Sequence, residues 1–91
     1  MDDLSELIQV FAETTETEMM KELFEELFTM KERYDFALRW RLMKDLHHGV
    51  HQREIAHNLG ISLCKITRGS KILKKDGSVC RKLIEGLPKT R

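Results

Sequence analysis

The chemistry this sequence offers lies in a run of cations. Lys65, Thr67 and Arg68 make a polar, basic side on one short helical segment, and Lys71, Lys74 and Lys75 crowd its last turn. Ammonium and guanidinium groups gathered in this way face phosphates, and affinity for DNA begins with that neutralisation. The plainer reading of the three lysines is a solvated helix end whose charges offset the helix dipole. Other chemistry is poorly served. His47, His48, His51 and His57 suggest a metal, but Gly49 interrupts the helix between the first pair and His51. No carboxylate or cysteine completes four ligands at a usual spacing. Cys64 and Cys80 have no partner spacing for a metal site and read as free thiols in a reducing compartment. No Ser/His/Asp order, paired acids or phosphate-cradling glycine loop occurs, so neither catalysis nor a covalent or metal cofactor is expected.

The element that must position these cations is Gln52–Lys74, QREIAHNLGISLCKITRGSKILK. Helical spacing resolves it into two short helices joined by a tight turn. Ile55 and Leu59, four apart with Ala56 beside them, put an apolar stripe on the first. Gly60 stands where a residue of positive φ must end that helix. Ser62 follows, with a hydroxyl able to accept from the free amides that open the next. Leu63 and Ile66 then give the second helix a buried side opposite Lys65, Thr67 and Arg68. A small Ala, then Gly four residues on, then an apolar residue six further is the pattern of a DNA-binding helix-turn-helix, and an ordinary helical hairpin is the alternative. As a DNA reader, the segment would set Gln52 and Arg53 against phosphates or outer bases. Leu63, Cys64, Lys65 and Thr67 would enter the major groove, and Lys71, Lys74 and Lys75 would add backbone contacts.

Charge supports the nucleic-acid reading. The formal net charge is only +1, yet residues 1–36 hold 11 acidic and 3 basic side chains, and residues 37–91 hold 4 acidic and 13 basic. The halves therefore carry −8 and +9, and the basic half contains the motif. Ninety-one residues make one small domain, here taken as 1–91, which buries only about 60–65% of its unfolded surface and so favours oligomerisation. Hydrophobic content of 41% against 34% charged residues suits a soluble globular protein. No apolar run approaches the roughly 20 residues that span a bilayer, and no signal peptide opens the chain, so the cytoplasm is expected.

Around the motif the pattern is helical throughout. Leu4, Leu7, Ile8 and Phe11 mark a first helix from about Asp2 to Glu13. Thr15 and Glu18 resemble a capping box that opens a second, in which Met19, Met20, Leu23, Phe24, Leu27 and Phe28 form an apolar band wide enough for two neighbours or a second subunit. Thr29 and Glu32 form another capping box, and the third helix runs to about His47 with rows Tyr34–Leu38–Leu42 and Phe36–Trp40–Met43. Asp76-Gly77 is a turn, and Ser78 caps a final helix carrying Val79, Leu83 and Ile84, with Pro88 at its end. The expectation is an all-α chain of six helices.

QREIAHNLGIS followed by ITRGSKILK strongly resembles the tryptophan repressor family over roughly Glu25 to Lys74, above all in Ile66-Thr67-Arg68-Gly69-Ser70. The resemblance implies an intertwined homodimer that binds palindromic operator DNA with L-tryptophan as corepressor and controls tryptophan-related genes. Arg68 matches the family's carboxylate-binding arginine, a task suited to a guanidinium's paired hydrogen bonds. Arg39 matches the arginine lying over the indole, and Gly69 keeps backbone close to the ring. Carbonyls around Glu26–Phe28 of the other subunit would receive the ammonium, beside Thr29, which matches the family's threonine. Plainer readings stand beside these: Arg68 on phosphate, Arg39 as a surface arginine on Trp40, Gly69 kept for packing, Thr29 as a cap. In the implied mechanism, tryptophan holds two recognition helices about 34–36 Å apart, one turn of DNA, through its differential affinity for the two arrangements.

Departures from the family pattern touch ligand and target more than fold. His51 replaces the usual serine or threonine cap, after a loop one residue shorter, and Ile72 replaces a serine near the ligand's ammonium. Glu26 stands where an apolar residue is commoner, and Leu63-Cys64-Lys65 differs at the base-facing positions. The extra N-terminal arm of longer members is expected to be missing. A regulator of the same fold that senses another amino acid or an indole derivative, or no ligand, is the alternative. A helical dimer acting through protein contacts on its acidic half is a third reading.

Overall fold

The computed structural model describes residues 2–88, so the ends of the expected 1–91 domain, Met1 and residues 89–91, lie outside the described residues. Among these residues there are six helices and no strand: α1 Asp3–Glu13, α2 Thr17–Leu27, α3 Met30–His47, α4 Gln52–Leu59, α5 Leu63–Lys74 and α6 Val79–Glu85. The chain divides into two compact units, residues 1–35 and 36–91, with α3 running from one into the other. The division falls where the charge changes sign.

In the first unit, local hydrogen bonds set the helix ends. Asp2 caps α1, its Oδ1 accepting from the Ser5 amide at 2.6 Å and its Oδ2 from the Ser5 hydroxyl at 3.1 Å. Those bonds favour the carboxylate and hold Asp2 below its ordinary pKa. Thr29 and Glu32 cap α3 reciprocally: the Thr29 amide donates to Glu32 Oε1 at 2.9 Å and the Glu32 amide to Thr29 Oγ1 at 3.1 Å. The capping box expected at Thr15 and Glu18 does not form. Helix α2 starts at Thr17 with Glu16 as its cap residue and no side-chain cap bond, which leaves Thr15 one residue outside. A cap contributes only about 1 kcal/mol, so it does not dictate where a helix begins. Phe11, Phe24 and Phe28 cluster with ring centroids 5.1–6.4 Å apart. Even so, no residue of α1 or α2 is buried, and Leu4, Ile8, Met19 and Leu27 are exposed.

The second unit holds the core. Helix α3 ends in a Schellman arrangement, with the Gly49 amide on the Leu46 carbonyl and the Val50 amide on that of Asp45. Leu42, Ile55 and Ile66 form one buried cluster and Met43, Leu73 and Ile84 another, with Leu46 packed against both. Gly60 ends α4 in the left-handed region at φ +65°, its amide donating to the Ala56 carbonyl at 2.9 Å. Ser62 then caps α5 by accepting from the Lys65 amide at 3.4 Å. His51 makes no side-chain cap bond to α4, in keeping with the departure noted at that position.

One burial expectation changes, and two apolar faces prove only partly covered. Leu63 is 48% exposed rather than buried, because it heads α5 a turn before Ile66 meets Ile55. Of the two rows on α3, only Leu42 and Met43 are buried, while Tyr34, Phe36 and Trp40 stay exposed. On α6 Ile84 is buried and Val79 and Leu83 are exposed.

Candidate nucleic-acid interface

Helix α5 is divided cleanly by burial. Ile66, Gly69 and Leu73, at i, i+3 and i+7, form its inner edge. Gly69 lies so close to α3 that a Cβ there would sit 3.1 Å from Leu46 Cδ1 and 3.1 Å from Met43 Sδ. Only a glycine lets the two helices cross at that distance without a shift. With that side held, Cys64, Lys65, Thr67, Arg68, Lys71 and Lys74 are all exposed on the other.

The exposed side is concave at its centre. An open hollow of about 760 Å³ is lined by Leu63, Cys64, Thr67, Arg68, Lys71, Ile72 and Lys75. Its walls combine apolar carbons with three cations, which suits a flat apolar body bearing an anion, or a phosphate backbone with base edges. Arg68, expected to bind a carboxylate, thus shares one hollow with Leu63, Cys64, Thr67 and Lys71, expected to meet DNA. Lys65, Lys74, Gln52 and Arg53 lie outside the hollow and are exposed. Arg39 is also exposed, and the side chains of Arg39 and Arg68 are in none of the ion pairs among the described residues. Arg41 of α3, in contrast, is paired with Asp45 at 3.1 Å.

Glu26, Phe28 and Thr29 belong to the first unit, at the junction of α2 and α3. The Phe28 carbonyl there is already engaged: Arg33 Nη1 donates to it at 2.6 Å and to the Glu25 carbonyl at 3.2 Å. Sequence reading missed Arg33. Its signal was the two-residue connection Phe28-Thr29, which turns the first turn of α3 back onto the last carbonyls of α2. Arg81 was missed in the same way. It holds the Leu73 and Lys75 carbonyls at the end of α5, at 2.6 and 3.2 Å.

Residues 2–86 match the family model described as Trp repressor protein. The chain belongs to the Trp repressor family. It is 41% identical over 56 residues to a Trp operon repressor homolog of Chlamydia trachomatis serovar D, covering 60% of each chain. To a Trp operon repressor homolog of Xylella fastidiosa strain M23 it is 38% identical over 65 residues, 70% of this chain and 71% of the other. The chain spans about 60% of the length of the Chlamydia relatives it matches. No solved structure matches it. The family is a regulatory DNA-binding one rather than an enzymatic one. Among the described residues no group of three or more His, Cys, Asp or Glu could hold a metal, and no helix is long and apolar enough to cross a membrane.

Proposed function

We propose that this chain is a homodimeric, cytoplasmic transcriptional repressor that binds palindromic operator DNA when loaded with L-tryptophan and regulates genes of tryptophan supply. The observation that carries the reading is the division of α5. Ile66, Gly69 and Leu73 anchor it to the core, and every candidate reading residue from Cys64 to Lys74 stands on its free side. Leu63, Cys64, Lys65 and Thr67 read base edges, while Gln52, Arg53, Lys71 and Lys74 face phosphates.

In this reading Arg68 clamps the ligand carboxylate in the α5 hollow, Arg39 covers its ring, and Gly69 keeps α5 seated on α3 beneath. The carbonyl end of α2 of the second copy, with its Glu26, Phe28 and Thr29, receives the ammonium. A second copy covers the apolar side chains that α1, α2 and the first half of α3 leave exposed, such as Leu4, Met19, Met30 and Tyr34. Both arginines are exposed and neither side chain is in an ion pair among the described residues, so binding an anion there displaces no partner described.

One pair of observations favours a second reading of the ligand. Arg33 already occupies the Phe28 carbonyl, and the hollow offers the aliphatic Ile72. Both reduce what an ammonium can gain, which suits an indole carboxylate with a weaker amine contact.

The test is a gel shift on the chain's own promoter, with and without L-tryptophan, beside Arg68→Gln. Retardation that needs tryptophan and disappears in Arg68→Gln is expected. Retardation indifferent to tryptophan leaves a ligand-independent regulator, and none at any salt concentration removes the DNA reading.

A further inference from the structure

The end of the reading helix is tied down by a residue that itself lies beyond it. Arg81, on α6, sends Nη1 to the Leu73 carbonyl at 2.6 Å and to the Lys75 carbonyl at 3.2 Å. The same Lys75 carbonyl accepts from the Ser78 amide at 3.1 Å, and the buried Ser78 hydroxyl accepts from the Arg81 amide at 3.2 Å. The connection Lys75–Ser78 is therefore closed from both sides, with one guanidinium joining the last carbonyls of α5 to the first turn of α6. Those carbonyls are groups that a helix leaves unsatisfied, at its negative end. Arg81 is partly buried, whereas Lys74 and Lys75 stand in the open.

We propose that Arg81 is a positioning residue for DNA binding: it fixes the last turn of α5 so that Lys74 and Lys75 meet phosphate together. The inference rests on the DNA-binding reading above. Lysine is a flexible point charge, so it contributes to a defined interface only as far as its backbone is held. Here the backbone atoms held are those of Lys75 itself and of Leu73, the residue before Lys74. Helix α5 otherwise makes its last anchored contact at Leu73, inside the Met43–Leu73–Ile84 cluster. Past that point the Lys75 amide donates to the Ile72 carbonyl at 3.4 Å, and the Arg81 bridge and the Ser78 turn bond close the connection.

The experiment measures affinity for a duplex of the chain's own promoter by fluorescence anisotropy, across a salt series, in the full chain. Each phosphate contact steepens the plot of log affinity against log salt by about 0.9. Arg81→Gln is expected to flatten that plot by about 2, with affinity near 0.1 M salt falling about eightfold for each lost contact. In the Arg81→Gln background, Lys74→Gln/Lys75→Gln is expected to cost nothing further, whereas in the wild type that pair flattens the plot by the same amount. Arg81→Lys, which keeps the charge but not the planar fork, is expected to fall between the two.

Each variant is compared at a temperature where circular dichroism shows it folded, and Arg81→Lys carries the test if Arg81→Gln does not fold. An unchanged salt slope with a lower melting temperature would make Arg81 a structural clamp alone and overturn the proposal. A drop of about 1, followed by a further full drop on losing both lysines, would make Arg81 a phosphate contact and overturn it equally. A wild-type chain with no salt-dependent binding would instead remove the DNA reading beneath it.

Discussion

Replacing Gly69 by alanine sets two well-measured effects against each other. In a helix interior alanine is favoured over glycine by about 1 kcal/mol. Against this, the new Cβ would sit 3.1 Å from Leu46 Cδ1, 3.1 Å from Met43 Sδ and 3.5 Å from Leu42 Cδ2. Carbon atoms prefer about 3.5–4.0 Å, so two of the three contacts overlap by roughly half an ångström. Both crowded atoms end flexible side chains, but Met43 is only 4% exposed and Leu46 packs against both core clusters. Neither can turn away without disturbing the core, and overpacking of this kind costs about 1–3 kcal/mol. The crowding wins. Gly69→Ala is expected to be less stable by about 1 kcal/mol, and Gly69→Val, with two more methyls and a stiffer χ1, by about 3 kcal/mol or more. Urea unfolding followed by circular dichroism measures both. It is run at one protein concentration because the proposed dimer makes stability depend on it. A Gly69→Ala chain as stable as the wild type, or more so, would show that α3 and α5 do not cross as closely as described.

Gly60→Ala faces no neighbour within 4 Å, so its cost is conformational alone. A left-handed alanine at φ +65° should lose about 1–2 kcal/mol in the same unfolding assay, and Gly60→Asn less. Arg33→Gln frees the Phe28 and Glu25 carbonyls, so calorimetry should show L-tryptophan gaining affinity relative to its amine-lacking analogue indole-3-propionate. A ratio identical to the wild type would disconnect Arg33 from ligand choice. Asp2 is held below its ordinary pKa in the folded chain, so its cap is intact above the unfolded value of 3.8 and is lost as pH falls through the lower folded value. An NMR titration of the Ser5 amide should follow that loss, and an amide shift centred at 3.8 or above would contradict it.

The motif was readable because its signals are short-range. Ile55 and Ile66 showed themselves by spacing, Gly60 by the turn it had to make, and Ser62 by its place before a helix. Each depends on neighbours within a turn or two, and all four behave as read. The third helix declared both ends for the same reason, through the Thr29–Glu32 box and Gly49. What the sequence hid were contacts without a period. Arg33 reaches a carbonyl eight residues back, and so does Arg81, because tight connections fold one helix start onto the previous helix end. Apolar spacing also reports that a face needs cover without naming the cover. Tyr34 and Trp40 fit their helical rows as well as Leu42 does, yet only Leu42 is buried within the chain. Leu63 shows the limit at smaller scale, since its register with Ile66 is right but the helix it would pack against lies a turn further on.

If one ligand and one duplex are coupled through α5, the coupling must be reciprocal. The direct measurement is calorimetric: the affinity of L-tryptophan for the free chain and for the chain saturated with its own promoter duplex. Tighter binding in the complex is expected, by the same factor by which tryptophan strengthens the grip on DNA. Equal affinity in the two titrations, or no heat attributable to tryptophan in either, would contradict it.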